Sequence, residues 1–332
     1  MPISDNGVQP TVSRFSYLTG KTQWGTMKVK DIAGKTVLAG AALLAVLSGA
    51  QDVSAVEGGA TITPFGLFDF GAGMSPPPTP YGAFGLQVMH YTANKGKDVF
   101  GKDNGVDLQL DVTSVTLSYI KMTEFKLLGA AYGFGVAVPL MNLNGSFDVG
   151  QKIADKDFNI GDAGFIPLIL QWDLTKNWYV NTAFQIQAPT GHYDVNNPFS
   201  AGVNHWTFAP TAGVTYLSDS GWEVSSRIEI SFNTVNRATN YTSGIEYKQE
   251  FAVGKSLGAW TIGAGGYAYQ QLTDDKGQGI VKGNRSRAFA AGPAVAWFEP
   301  GLPAVNFHAY KEFGTRNRPE GYNLSFRISH AF

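Results

Sequence analysis

The chain has 332 residues, and its 25 basic and 26 acidic side chains give a formal net charge of −1. That balance excludes the strongly basic surface typical of nucleic-acid-binding proteins. No cysteine occurs, which excludes disulfides, thiolate metal sites and thiol redox chemistry.

The first predicted element is a signal peptide over residues 27–55. Three lysines precede an apolar stretch at residues 37–47, and small residues ending at Ala55 follow it. The stretch is about 11 residues long, too short for a helix that spans a bilayer. We predict cleavage near Ala55, export of the chain that starts at Val56, and an upstream extension over residues 1–26.

A segment without strand periodicity, residues 56–81, precedes the first strand. It contains a proline run, Pro76-Pro-Pro78, which cannot join a sheet ladder. Two interpretations remain open for this segment: a periplasmic tail, or a small gate folded into the lumen of a barrel.

Twelve strand-like runs follow, each about ten residues or longer, which is the length a tilted barrel strand needs to cross a membrane. In the run from Trp222, apolar and charged residues alternate with period two, so one face meets lipid and the other water. In the second run the apolar positions change from even to odd numbers, which predicts a β-bulge near Thr113. The runs lie at 82–94, 106–122, 126–141, 162–173, 178–188, 205–217, 222–233, 242–252, 259–271, 286–298, 304–313 and 321–332.

The joints between these runs alternate in length. Short joints are predicted at Thr123–Phe125, 174–177, 218–221, 253–258 and 299–303, and long ones at 95–105, 142–161, 189–204, 233–241, 272–285 and 314–320. Periplasmic turns and longer external loops alternate in this way in outer-membrane barrels. The chain is therefore predicted to be an all-β protein, a transmembrane antiparallel β-barrel of about 12 strands over residues 82–332, in the bacterial outer membrane.

Two further patterns support the barrel. Five tryptophans border the short joints, as in a periplasmic aromatic girdle: Trp172, Trp178, Trp222, Trp260 and Trp297. The last run alternates to the terminal Phe332 and resembles the closing strand of outer-membrane barrels. We expect it to pair with the first run, to be recognised by the barrel-assembly machinery, and to face outer-membrane lipid and lipopolysaccharide.

The alternation also predicts a charged inner face. The residues predicted to face the lumen are Asp107, Asp111, Glu223, Arg227, Glu229, Glu246, Lys248, Glu250 and Arg327. They could form a polar route for a solute, or pair across neighbouring strands and brace the barrel.

Aromatic loop residues are the candidates for contact with a solute: Phe147, Phe158, His192, Tyr193, Phe199 and Trp206. Catalytic motifs are absent from the sequence, since the histidines lack metal-ligand spacing and neither a nucleophile elbow nor a phosphate-binding loop occurs. We predict no enzymatic activity, no catalytic or metal site, no cofactor and no nucleic-acid partner.

Many short stretches, in order along residues 57–332, belong to a recognisable set, which includes Glu57-Gly58-Gly59, Tyr132–Pro139, Ala188–Gly191, Asn204–Pro210 and Tyr269–Asp275. Together they resemble one family of outer-membrane proteins, the family associated with meta-cleavage pathways of phenol and related aromatics. The resemblance implies a barrel that admits small hydrophobic, aromatic compounds, and it implies no particular binding residues. A general diffusion pore for small hydrophilic solutes and a structural or adhesive barrel without transport are the alternatives.

Overall fold

The computed structural model describes residues 64–332. The predicted extension at 1–26, the signal peptide at 27–55 and residues 56–63 lie outside the described residues. None of the residues 64–332 forms a helix long and apolar enough to cross a membrane. The described residues contain thirteen strands: β1 (Ala83–Lys97), β2 (Asp107–Leu127), β3 (Ala130–Asp148), β4 (Lys152–Ile160), β5 (Gly164–Asp173), β6 (Trp178–Gln187), β7 (Thr207–Leu217), β8 (Trp222–Asn233), β9 (Glu246–Leu257), β10 (Trp260–Gln271), β11 (Arg287–Trp297), β12 (Ala304–Arg316) and β13 (Arg318–Ala331).

Twelve of these strands form a closed antiparallel barrel, which confirms the predicted fold. Each barrel strand pairs with its neighbours in chain order, except that β3 pairs with β5 across the inserted β4. The barrel closes where β13 pairs with β1, from Ala83 opposite Ala331 to Lys97 opposite Arg318. Closure leaves the barrel without an unpaired edge, as a sheet in lipid requires.

The thirteenth strand, β4, was not predicted, because residues 142–161 were expected to form an external loop. Instead β3 continues to Asp148, and β4 folds back along this extension, with Asp148 opposite Lys152 and Leu140 opposite Ile160. The β3 extension lies between β2 and β4, so its backbone groups are paired on both sides.

The predicted first short turn at Thr123–Phe125 is also wrong by a few residues. Strand β2 runs on to Leu127, and Leu128 and Gly129 form the turn with positive φ values of 53° and 77°. Two successive residues with positive φ are the geometry of a tight hairpin turn that matches strand twist. Glycine adopts this conformation without strain, which fixes the turn at Gly129.

The predicted bulge near Thr113 does not occur. Strand β2 pairs with β1 without interruption, from Leu110 opposite Ala93 to Ile120 opposite Ala83. Instead, the apolar residues of β2 face outward near the short turn, as Leu117 does, and face inward near the other end of the strand, as Leu108 does. A strand of 21 residues reaches about 70 Å, far more than the thickness of a bilayer, so its outer part extends beyond the lipid.

All five predicted girdle tryptophans lie at the short-turn end of the barrel. Trp178, Trp222 and Trp260 are the first residues of their strands and are 45%, 51% and 51% exposed. Trp260 lies opposite Trp297 on the neighbouring strand, and the Trp172 indole donates a hydrogen bond to the Leu128 carbonyl at 3.1 Å. This end of the barrel therefore carries the outward aromatic ring that marks a membrane interface.

Candidate functional site

Residues 64–74, here called the plug, lie inside the barrel against the inner face of β7, β8 and β9. The Glu250 carboxylate accepts hydrogen bonds from the backbone amides of Leu67 and Phe68, both at 2.9 Å. The Gly73 amide donates to Thr215 Oγ1 at 2.9 Å. Hydrogen bonds to a carboxylate are stronger than neutral ones, so Glu250 provides the firmest of these contacts.

The plug is also held by side chains of β12 and β13. His308 Nδ1 lies 2.9 Å from Asp69 Oδ2, and the Tyr310 hydroxyl donates to the same carboxylate. Asn323 donates to the Phe65 carbonyl, and Arg327 to the Leu67 carbonyl, each at 2.9 Å. These pairs are more than 230 positions apart in sequence, so only the closed barrel brings them together.

Two plug rings also pack against basic and aromatic side chains. Phe65 stacks on Tyr267 with ring centroids 4.8 Å apart, and the Arg318 guanidinium lies 4.5 Å from the Phe65 centroid. The guanidiniums of Arg227 and Arg327 lie 4.3 Å and 5.7 Å from the centroid of Phe68. Such cation–π contacts are worth about 0.5–2 kcal/mol each, which adds to the seating of the plug.

The plug approaches strand β7 so closely that no side chain fits between them. A Cβ atom on Gly73 would lie 2.3 Å from the Thr215 amide nitrogen, and one on Gly213 would lie 2.3 Å from the Ala72 carbonyl oxygen. Both positions therefore require glycine.

A proline-containing arm, residues 75–82, connects the plug to β1. Lys121 Nζ donates to the carbonyls of Thr79 and Pro80 at 2.5 Å and 2.7 Å. The Tyr81 amide donates to the carbonyl of Phe332 at 3.1 Å. The arm thus ties the plug to the closing strand at the periplasmic end.

Seven of the nine residues predicted to face the lumen lie on the inner face. Glu223, Glu229, Glu246, Lys248 and Glu250 are buried there, while Arg227 and Arg327 are half-buried. Of the two predicted roles, cross-strand bracing is seen for one pair, since Lys248 Nζ lies 3.5 Å from Glu229 Oε1 on the adjacent strand. Glu223 and Glu250 instead accept hydrogen bonds from the plug.

The prediction for Asp107 and Asp111 is wrong, because both are exposed on the outer face of β2. Their neighbours Leu108, Leu110 and Val112 line the cavity instead. The prediction assumed that apolar residues face lipid along the whole strand, whereas the outer part of β2 stands beyond the membrane.

The cavity beside the plug has an apolar wall, defined here by six residues of the outer halves of β2 and β3. Val112 lies opposite Leu143, and Leu108 lies opposite Phe147, so the six side chains form two adjacent rows on the inner face. On the outer face the same stretch carries polar side chains, among them Asn142 and Asn144. The six residues of the wall are Leu108, Leu110, Val112, Met141, Leu143 and Phe147.

Three of the six predicted loop contacts line this cavity. Phe199 inserts from the external loop at 188–206, with its ring centroid 6.1 Å from that of Phe147. A Cβ on Gly145 would lie 2.3 Å from the Phe199 ring, so this glycine makes room for it. Tyr193 also lines the cavity, and its hydroxyl accepts a hydrogen bond from Asn236.

The other three loop residues do not line the cavity, and their prediction as contacts is not supported by their positions. Phe158 and Trp206 are 67% and 46% exposed and lie outside the cavity lining. His192 Nδ1 lies 2.9 Å from Asp157 Oδ2. Burial alone would raise the pKa of the Asp157 carboxyl, but hydrogen bonds from Asn159, His192 and the Ala201 amide hold it below its usual value.

A buried carboxylate joins two external loops above the barrel. Asp275 accepts hydrogen bonds from the Gly244 amide at 2.6 Å, from Gln271 Nε2 at 2.5 Å, and from the Tyr241 hydroxyl. Burial raises the pKa of its carboxyl to about 6. The loop at 272–286 is thereby fixed to the loop at 234–245.

Several functional residues were missed by the sequence analysis. Asp69 and Glu312 are buried acids of the lumen, and Glu312 accepts hydrogen bonds from Tyr91 at 2.7 Å and Tyr267 at 2.8 Å. The alternation of His308, Tyr310 and Glu312 along β12 is the signal that could have revealed this inner face. Within residues 64–332, no group of three or more potential metal ligands is clustered.

Comparisons with known proteins agree with this architecture. A family model described as "Putative MetA-pathway of phenol degradation" matches residues 93–328. An outer membrane channel from Pseudomonas putida F1 superposes with a TM-score of 0.66 at 14% identity, covering 78% of this chain and 100% of that chain. No curated protein matches the chain.

Two autotransporter domains give weaker structural matches. The β domain of the Bordetella autotransporter BrkA has a TM-score of 0.48 at 8% identity, covering 76% of this chain and 100% of that chain. The transport unit of the Escherichia coli autotransporter AIDA-I has a TM-score of 0.45 at 8% identity, covering 77% and 91%. The superposition on the Pseudomonas putida channel shows that this chain and that channel share a fold.

Proposed function

The chain belongs to the family described as "Putative MetA-pathway of phenol degradation", and from this premise we propose that it admits small hydrophobic, aromatic compounds through the outer membrane. The fold is that of an outer-membrane channel. The observation that carries the proposal is the apolar wall, where β2 and β3 turn their apolar residues inward beyond the lipid.

An apolar inner surface suits an apolar solute for a physical reason. Transfer of apolar surface out of water is worth about 25 cal/mol per Å², so a ring gains free energy by leaving water for the wall. The wall is supplemented by Phe199 from the external loop, which contacts Phe147. A pore for hydrophilic solutes has no use for such a lining.

The plug makes the route narrow. It occupies the side of the lumen formed by β7 to β9 and β12 to β13, whereas the apolar wall belongs to β2 and β3. We propose that solutes pass between the two.

Placing a charge on the apolar wall tests the proposal. The variant Leu143→Asp should slow uptake of the hydrophobic dye N-phenylnaphthylamine by intact cells about tenfold, because the passing solute would meet a hydrated carboxylate. The matched control is Asn142→Asp, which adds the same group one residue away on the exposed outer face. The comparison requires that both variants are present in the outer membrane in equal amounts as folded, heat-modifiable barrels.

The alternatives predict different results. Equal dye uptake by wild type, Leu143→Asp and cells lacking the protein would contradict the proposal and favour a structural or adhesive barrel. A large ohmic current in planar bilayers, together with dye uptake that does not depend on the protein, would favour a hydrophilic diffusion pore.

A further inference from the structure

The arginines and the acids of the lumen differ in what they face. Glu229, Glu246, Glu250, Glu312 and Asp69 are buried and do not line the cavity. Arg227 and Arg327 do line it, on the plug side. The inner face is therefore rich in acids, but at the plug the surface offered to a solute carries guanidinium groups.

The acids that do reach the cavity are already hydrogen-bonded. Glu223 Oε1 accepts from the Gly71 amide at 2.6 Å and from Ser225 at 2.8 Å. Asp162 accepts from the amides of Gly191 and Val203 at 2.7 Å and 2.8 Å. Asp275 has its three donors in the external loops.

The two arginines, in contrast, form no contact ion pair in the described part of the chain, although the charges of Glu229 and Glu250 act on Arg227, and those of Asp69 and Glu250 on Arg327, from a greater distance. Among residues 64–332, no Asp or Glu lies within 4.0 Å of the guanidinium of Arg227 or Arg327. Arg227 donates to Thr211 at 2.7 Å and to Asn181 at 3.3 Å, and its Nε is buried without a hydrogen-bond partner in the described part of the chain. A buried unpaired donor is costly, and because this Nε is closed off from the cavity, only the terminal N–H groups of Arg227 can meet an acceptor that arrives from outside the protein.

Both guanidiniums lie over the Phe68 ring, with Cζ 4.3 Å and 5.7 Å from its centroid. Arginine recognises carboxylates through its N–H groups, and a contact with a ring does not use these groups as hydrogen-bond donors. An aromatic ring in the cavity would find apolar contact with Leu67, Phe68 and the apolar wall, all of which line the same space.

We propose that the lumen contains a binding site for small aromatic carboxylates, with the carboxylate at Arg227 and Arg327 and the ring in the apolar part of the cavity. This inference rests on the proposed function, since it assigns a substrate class to the same route. A benzoate-type anion combines the two chemistries that the site offers. A neutral hydrocarbon would use only the apolar part.

Equilibrium dialysis of radiolabelled benzoate against the purified full-length protein in detergent at pH 8 tests the site. Wild type should bind benzoate, and Arg227→Gln and Arg327→Gln should each weaken binding at least tenfold, because each removes a charge-assisted hydrogen bond. The matched control is Lys97→Gln, which removes one positive charge from the cavity lining, where Lys97 already pairs with Glu320 at 3.5 Å. Lys97→Gln should bind benzoate as wild type does.

The outcomes separate this inference from the proposed function. Benzoate binding that is equal in wild type and both arginine variants, or equally weakened in Lys97→Gln, would overturn the carboxylate site. Neither result would change the effect on dye uptake that is expected for Leu143→Asp. Arg327→Lys keeps the charge without the planar fork and should bind benzoate more weakly than wild type but better than Arg327→Gln, which a loss of fold would not produce.

Discussion

At the scale of single residues, a substitution of Glu250 is the most direct test of how the plug is held. It is 1% exposed and accepts the amides of Leu67 and Phe68 through separate oxygens. In Glu250→Gln, one oxygen becomes an NH₂ group that faces an N–H donor, at a cost of about 1–3 kcal/mol for the buried mismatch. We expect more frequent or larger openings in planar-bilayer recordings.

The matched control for this change is Glu246→Gln. Glu246 is a buried acid of the same strand, but its partners are Asn233 at 2.9 Å and Tyr269 at 2.8 Å rather than the plug. Its conductance should stay near the wild-type value. Identical recordings from both variants would show that Glu250 does not hold the plug.

A second residue-scale prediction concerns pH and Asp275. Its pKa is raised from 3.8 to about 6 by burial, with a further contribution from the neighbouring charge of Asp274, which itself pairs with Arg285. A carboxyl with a raised pKa in the folded state stabilises that state fully below pH 4 and loses this contribution as the pH rises through 6. The contribution is on the order of 3 kcal/mol.

Hydrogen exchange of residues 234–245 and 272–286 measures this effect. After correction for intrinsic rates, protection should fall between pH 4 and pH 7 in the wild type. Asp275→Asn has no titratable group at position 275, and the pKa of Asp274 lies below its usual value, so this variant should show a flat profile over the same range. A wild-type profile as flat as that of the variant would rule out the carboxyl as the cause.

At the scale of elements, β13 offers a test of assembly. The residue that follows β13, Phe332, is 55% exposed on the outer face, and its ring centroid lies 6.0 Å from that of Phe84. If the assembly machinery recognises the terminal ring, as we propose, Phe332→Ala should lower the amount of heat-modifiable barrel several-fold. Phe84→Ala removes a ring from the same contact on β1 and should leave the amount near wild type. Similar losses in both variants would indicate packing rather than recognition.

Strands β2 and β3 show what sequence periodicity can predict and what it cannot. All twelve barrel strands could be predicted, because each has the length that a membrane-crossing strand needs and most also show its alternation. Alternation alone does not say which face is inside where a strand leaves the membrane. Leu108 and Leu117 belong to one regular strand, yet Leu108 lines the cavity and Leu117 is 62% exposed outside.

The plug and the side chains that hold it could not be predicted from the sequence, for a different reason. Phe65 and Asp69 carry no periodic signal, and their partners Asn323 and His308 are 258 and 239 positions away. Strands β10 and β11 are rich in Gly and Ala, which hid the inward row of Tyr267 and Tyr269. Contacts between an irregular segment and distant strands are set by closure of the barrel, which local patterns do not encode.

At the scale of the whole molecule, the lumen is divided into two sides with different chemistry. Carboxylates, arginines and tyrosines hold the plug on one side, and the apolar wall with Phe199 lies on the other. A twelve-stranded barrel is wide enough to enclose a plug or a modest pore. Because the plug fills one side of the lumen, only a narrow route remains on the other side.

The closing strand has one more consequence. Asn323 and Arg327 of β13 hold the plug with their side chains, while the backbone of the same strand pairs with β1 to complete the barrel. Separation of β13 from β1 would therefore also disturb the seat of the plug. The strand that completes the cylinder is thus also one of the supports of the segment inside it, and loss of the first role weakens the second.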